Sequence, residues 1–415
     1  MAVTRETTTE HRTWWARAGL GVVDGRLTIA GRDAEQLARE RGTPLFAYDL
    51  ERAREQSEAL RDAFDAAGVR GLVRYALKAQ REPAFLRFLR ERAPFVGIDV
   101  CSPGELDWAL EHGWSPEEIS YTGTNLSDRD LARIVQSGCH LNVDLLSQLE
   151  RVGRAAPGRA VGIRVNPRAG ATHAGGGESA YAGAKPTKFG IYPEHLHEAV
   201  EIARRHDLVI DTVHVHSGYL YFDDSLDVVD RVMGRVADAA RRLIDAGCPI
   251  VEVNTGGGLG VPFRPTDERL DLAAWTEIMA RHFGPLEVTV ATEPGEFIAK
   301  QTGVHLAEVV TVEDREGTTF VGLDTGWNVL CEHFVYDIPF FPILCRAADA
   351  PAVREVTFSG HINEGPDLFA EGYPFPEALE GDIVALPNVG SYNASMTSFH
   401  CMREPAASVM FENRV

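Results

Sequence analysis

The sequence predicts an α/β chain in two parts: a TIM-type (β/α)8 barrel over residues 43–290, and a β domain built from residues 1–42 and 291–415. Three observations carry this. Short β-branched runs alternate with amphipathic stretches through the middle of the chain, and the helical period fades after about residue 290. At 415 residues, with 44% hydrophobic and 25% charged, the chain can bury the cores of two or three domains without metal or disulfide staples. An open doubly wound sheet is the competing arrangement.

In chain order, the opening residues 21–33 alternate like a strand pair and are assigned to the β domain. Strand-like runs follow at 72–78, 95–100, 139–144, 161–167, 209–216 and 250–257, with a further one ending in Glu293-Pro294-Gly295. Between them, segments such as 82–93, 103–113, 127–138, 193–206 and 227–247 place apolar residues at helical spacing, and most close on Gly or His. Repeated β-α units of this kind close into a barrel whose site sits at the C-terminal ends of the strands. After residue 290 the runs at 304–324, 353–360 and 382–388 are strands of a separate β domain. The paired Trp14 and Trp15 fit a core, a dimer contact or a pocket lid equally well.

Composition narrows the function. With 41 basic and 61 acidic residues the net charge is −20, which repels phosphate backbones and acidic lipid, so neither nucleic acid nor a membrane surface is expected as partner. No run approaches the roughly 20 apolar residues of a membrane span, and none near the N-terminus resembles a secretory signal. The six cysteines show no CxxC pair and no zinc-ligand spacing, which suggests reduced thiols in a cytoplasmic protein without a metal.

Four features at run ends carry chemistry. Lys78 closes the apolar segment Tyr75-Ala76-Leu77; a buried ammonium is costly, and desolvation would depress its pKa and free the amine for imine formation. The plainer reading is a lysine reaching out to solvent. Gly256-Gly257-Gly258 follows a strand and lets backbone N–H groups approach an anion, although such a run is as often an ordinary loop. Its spacing fits neither a dinucleotide fingerprint nor a P-loop. His214 and His216 share one strand face, as metal ligands or satisfied core histidines. Glu293 is a partner for a cationic ring nitrogen or simply an acid capping a turn.

Taken together, a lysine, a ring-sized histidine, a glycine nest and a glutamate at one rim suit an aldehyde cofactor that carries a phosphate and a pyridine nitrogen, pyridoxal 5′-phosphate. Here the chain resembles the fold-type III pyridoxal-phosphate decarboxylases, the diaminopimelate and ornithine decarboxylase family. Further motifs support it: residues 97–106, 142–150, Arg164-Val165-Asn166-Pro167, 187–191, Asn363-Glu364-Gly365-Pro366-Asp367 and 390–396. The resemblance implies that Lys78 bonds the cofactor and His216 stacks on its ring. Gly256, Gly257, Gly258, Gly295 and Tyr392 would surround it, Glu293 would keep the ring nitrogen protonated, and Asp99 would hydrogen-bond near the lysine. Glu364 and Asp367 would serve the neighbouring subunit's site, which makes the functional unit a homodimer with shared sites.

Four departures from the family set further expectations. Glu296 stands where its Glu-Pro-Gly motif continues with arginine, and Glu332, with Tyr336 four residues on, stands where diaminopimelate decarboxylases carry a second arginine. Two like charges would repel a distal carboxylate, so the expected substrate has a cationic or neutral distal group rather than being diaminopimelate. Asn363 replaces a cysteine that delivers a proton to Cα, so protonation must differ. Tyr219 stands where a small serine near the phosphate is usual. The expected function is decarboxylation of a small α-amino acid, free or tethered to a carrier protein, in a biosynthetic pathway. The alternatives are a racemase or epimerase and, from another class, a regulatory pseudoenzyme.

Overall fold

The computed structural model describes residues 13–170, 181–183 and 185–415. They fall into two compact units, one of Glu55–Val261 with Glu268–Ile298, the other of the described chain up to Arg54 with Pro262–Asp267 and Ala299–Val415.

The first unit is a closed barrel of eight strands. In chain order these are Gly71–Ala76, Gly97–Val100, Ile119–Thr122, His140–Val143, Ala160–Arg164, Val209–His214, Glu252–Asn254 and Thr289–Thr292. Each pairs in parallel with the next, and the last closes on the first through Val290 with Gly71 and Thr292 with Val73. The turns into the helices carry the expected chemistry. Ser102 and Ser127 cap the helices Pro103–Glu111 and Asp128–Ser137 by accepting from Glu105 N and Asp130 N, and Gly138 ends the second in a left-handed conformation. Parallel strands in sequential order bring every strand's C-terminal end to one rim.

The second unit is built on one long strand, Gly303–Arg315. It returns antiparallel as Thr318–Leu323 through a turn whose two residues, Glu316 and Gly317, both have positive φ, the conformation that matches strand twist in tight hairpins. On its other half it pairs with Ile383–Pro387 and with Leu45–Asp49. The strands Arg354–Ser359 and Leu368–Phe375 extend the sheet, and the opening hairpin Leu20–Val23 with Arg26–Ile29 packs into the same unit.

Leu45–Asp49 differs from the sequence expectation, which counted residues from 43 onward with the barrel. All five of its residues are buried, and its partners are Gly303–Leu306 and the strand Ala407–Phe411. The paired tryptophans resolve as core: Trp15 is 4% exposed within a cluster that includes Leu27, Leu37, Leu306 and Ile383, while Trp14 packs edge-on against Phe341 at 5.2 Å. No helix among the described residues is long and apolar enough to cross a membrane.

Because Trp15 fills that core, Trp15→Ala should lower the unfolding free energy by about 3 to 5 kcal/mol. Urea denaturation checks this; a loss under about 1 kcal/mol would mean that the ring is not structural.

Candidate active site

The barrel rim assembles most of the residues singled out above. Glu293 directly follows the eighth strand and is 7% exposed. A carboxylate so buried needs partners. His214, the last residue of the sixth strand, brings Nε2 to 3.1 Å from Glu293 Oε2, and Asn254, the last of the seventh, donates Nδ2 to Oε1 at 2.7 Å. Both partners are fully buried, and Asn254 Oδ1 in turn accepts from Gly256 N at 3.0 Å. Burial alone would raise the Glu293 carboxyl, but His214, Asn254 and the charge of Arg74 outweigh it and hold it down at about 2.

Asp99, in the second strand, behaves oppositely. Burial and the adjacent Glu293 charge push its carboxyl well above the usual range, against the pull of Lys78. The two carboxyls are thus pushed in opposite directions, Glu293 down and Asp99 up, the division expected when two carboxyls share a site. Lys78 itself corrects an expectation. It sits on a single 3-10 turn, Leu77–Ala79, between two buried residues, and is itself exposed rather than desolvated.

The glycine run fits a close approach that no larger residue would allow. Gly256 and Gly258 have φ of 68° and 110°, and a Cβ on Gly256, Gly257 or Gly258 would meet Val215 O at 2.4 Å, Glu293 O at 2.6 Å or Tyr221 at 2.4 Å. His216 lies partly buried beside it; burial and the charges of Arg164 and Lys78 hold its imidazole well below its ordinary range, so the ring is neutral. Tyr181 packs edge-on to His216 at 4.6 Å, and Tyr219 packs edge-on to Tyr181 at 6.3 Å, so Tyr219 joins an aromatic layer behind the histidine. Gly295 is buried in the turn before the short helix Glu296–Ala299, which Glu296 opens.

Sequence reasoning passed over three rim residues. His214 and Asn254 stood in quoted runs without the role of holding Glu293. Arg164 ends the fifth strand, lies over Phe189 at 4.3 Å with Asp144 at 3.9 Å, and keeps a buried Nη2 without a hydrogen-bond partner. Asp99 Oδ1 is likewise buried and unpaired. A glycine cradle, a buried anion, a second buried carboxyl and an orphaned guanidinium N–H at one rim fit a phosphorylated pyridine cofactor.

The β unit carries the remaining candidates. Tyr392 adopts φ of 53°, with the Tyr336 ring at 6.0 Å. Asn363 and Glu364 are exposed, and Glu364 Oε1 lies 3.2 Å from His400 Nε2. Asp367 is buried and accepts from Ile362 N at 2.7 Å and Trp327 N at 2.8 Å, so its carboxylate organises its own turn. Glu332 lies buried against Lys300, 2.7 Å from Nζ, with side chains 2% and 0% exposed.

The family described as "Pyridoxal-dependent decarboxylase, pyridoxal binding domain" matches residues 50–300. The chain is 34% identical over 400 residues to a diaminopimelate decarboxylase of Methanothermobacter thermautotrophicus, covering 93% of this chain and 90% of that protein. It is 32% identical to one of Streptomyces coelicolor, covering 94% and 88%. Its fold is similar to the crystal structure of diaminopimelate decarboxylase from Helicobacter pylori complexed with L-lysine, with a TM-score of 0.82, 25% identity and coverage of 91% and 94%.

These relatives overturn the expectation that diaminopimelate is disfavoured. The physical error is visible at Glu332: its charge was counted as facing substrate, whereas Lys300 neutralises it inside the β unit.

In the fold Glu293 titrates at about 2 against 4.5 for a free glutamate, so it adds stability above about pH 5 that is lost as the pH falls toward 2. Glu293→Gln should therefore show a smaller loss of urea stability between about pH 7 and about pH 3 than the wild type. An equal loss in both would mean that Glu293 is not a depressed anion.

Proposed function

The chain belongs to the pyridoxal-dependent decarboxylases, and from that premise we propose that it removes an α-carboxylate from a diaminopimelate-type diamino diacid. It is a pyridoxal phosphate-dependent amino-acid decarboxylase, a carboxy-lyase. The substrate class is supported by relatives bearing that name across nine-tenths of the chain, and by the Lys300 to Glu332 pair, which removes the charge objection at position 332.

The residues divide the work as follows in this reading. Lys78 bonds the cofactor aldehyde. The N–H groups of Gly256, Gly257 and Gly258, with the Tyr392 hydroxyl, take the phosphate, and the tight turn at Gly295 keeps Glu293 in place. Bound pyridoxal phosphate supplies the electron sink for the bond to the departing carboxylate. Glu293, held anionic by His214 and Asn254, keeps a proton on the ring nitrogen, and the neutral His216 ring lies against the cofactor face. Asp99 hydrogen-bonds beside Lys78. Glu296, Tyr336 and Glu364 line the substrate, while Asp367 shapes the turn that presents Glu364. Asn363 offers only an amide, so the proton for Cα comes from solvent or Tyr392.

The same reading makes the enzyme a cytoplasmic homodimer in which Glu364 serves the partner's site. Mixing inactive Lys78→Ala with inactive Glu364→Ala protein should restore part of the activity, because a heterodimer holds one intact site. No recovery after verified subunit exchange would overturn the shared site. Carbon dioxide release from meso-diaminopimelate, lysine, ornithine, arginine and glutamate decides the substrate. We expect kcat/KM for diaminopimelate to exceed the others by about tenfold or more, about 1.4 kcal/mol of discrimination; preference for a basic amino acid would refute the assignment.

A further inference from the structure

Lys300 is an ammonium with no exposed surface, on the 3-10 turn Lys300–Thr302 of the β unit. Its Nζ meets Glu332 Oε1 at 2.7 Å, and both side chains lie out of solvent. Glu332 belongs to the short helix Cys331–Tyr336 and is tied on to Asn393 twice: Asn393 Nδ2 donates to Glu332 Oε2 at 3.2 Å, and Glu332 N donates to Asn393 Oδ1 at 3.3 Å. A second link runs from the same lysine through the backbone, where Lys300 O accepts from Gly390 N at 3.0 Å.

Both links end on one turn. Gly390 and Asn393 bracket Tyr392, and Asn393 Nδ2 also holds Ser391 O at 3.0 Å. Between these anchors Tyr392 adopts φ of 53°, a conformation that is costly for a non-glycine residue and persists only where its surroundings impose it. Tyr336, at the far end of the Glu332 helix, packs edge-on to its ring at 6.0 Å.

A buried ion pair is weak evidence for stability, since well-packed apolar residues of similar volume often replace one without loss. Its distinctive effect here is to join three segments distant in sequence around one strained tyrosine. We infer that Lys300, Glu332 and Asn393 are positioning residues, a buried polar clamp that holds Tyr392 in the conformation that presents its hydroxyl. The inference rests on the assignment of Tyr392 to the cofactor phosphate. Glu332 thus acts through Tyr392 and not on the substrate's distal end.

The test is the dissociation constant of pyridoxal phosphate, measured by titrating the full-length protein after cofactor removal, with circular dichroism as the check on folding. Tyr392→Phe should weaken binding by about tenfold, the loss of one hydrogen bond to a charged group. Asn393→Ala leaves the Lys300 and Glu332 charges paired, yet should weaken binding by a similar factor. Tyr392→Phe combined with Asn393→Ala should be no worse than Tyr392→Phe alone, because both act through one hydroxyl. The double variant Lys300→Met with Glu332→Leu avoids an orphaned buried charge; it should fold and show the same weakening. If Tyr392→Phe binds normally, the phosphate assignment fails and the clamp with it. If Tyr392→Phe is weakened but Asn393→Ala is not, or if the two losses multiply, the clamp alone is refuted.

Discussion

The rim of the barrel depends on one constraint: a glutamate with 7% of its surface exposed must remain charged. An isolated carboxylate in that position would take up a proton rather than bear the loss of hydration. Glu293 stays anionic because three strands end together. The sixth delivers His214, the seventh delivers Asn254, and the eighth delivers the carboxylate itself. Asn254 also fixes the first N–H of the glycine run, so the network that stabilises the anion shapes the glycine turn beside it. Asp99 is a consequence: its own burial, with Glu293 charged beside it, pushes its carboxyl well above the usual range.

The β unit answers a similar problem by a different route. Lys300 and Glu332 are each too deeply buried to stand alone, and their pairing turns two costly charges into a joint between the turn at Lys300, the helix of Glu332 and the loop of Tyr392. At the barrel rim the charge is kept; in the β unit it is cancelled. Burial is similar in both cases; at the rim His214, Asn254 and the charge of Arg74 together hold one carboxylate ionised, whereas in the β unit one buried charge directly cancels another.

The barrel was readable because each strand and helix leaves a local periodic trace, and the rim residues were readable because Lys78, His216, Gly256 and Glu293 fall where runs end. Ile119–Thr122 escaped, since a run of four residues is too short to leave a clear period-2 trace. Leu45–Asp49 was placed with the barrel because an apolar run such as Leu45 to Tyr48 reads the same in any context; its partners begin more than 250 residues later, and no local signal names them. Lys78 was legible as a position but not as an environment, because the turn that exposes it depends on how the strand ends. The substrate expectation failed for the same reason: a glutamate in a sequence carries no record of its counter-ion. Lys300 lies 32 residues from Glu332, and only the fold brings them together.

The central claim is that the anionic Glu293 holds a proton on the pyridine nitrogen of the cofactor. The nitrogen-15 chemical shift of ring-labelled pyridoxal phosphate bound to the enzyme reads that proton directly. The account predicts a protonated ring nitrogen at neutral pH in the wild type and a shift to the unprotonated value in Glu293→Gln. An unprotonated nitrogen in the wild type, or the same shift in both proteins, would contradict it.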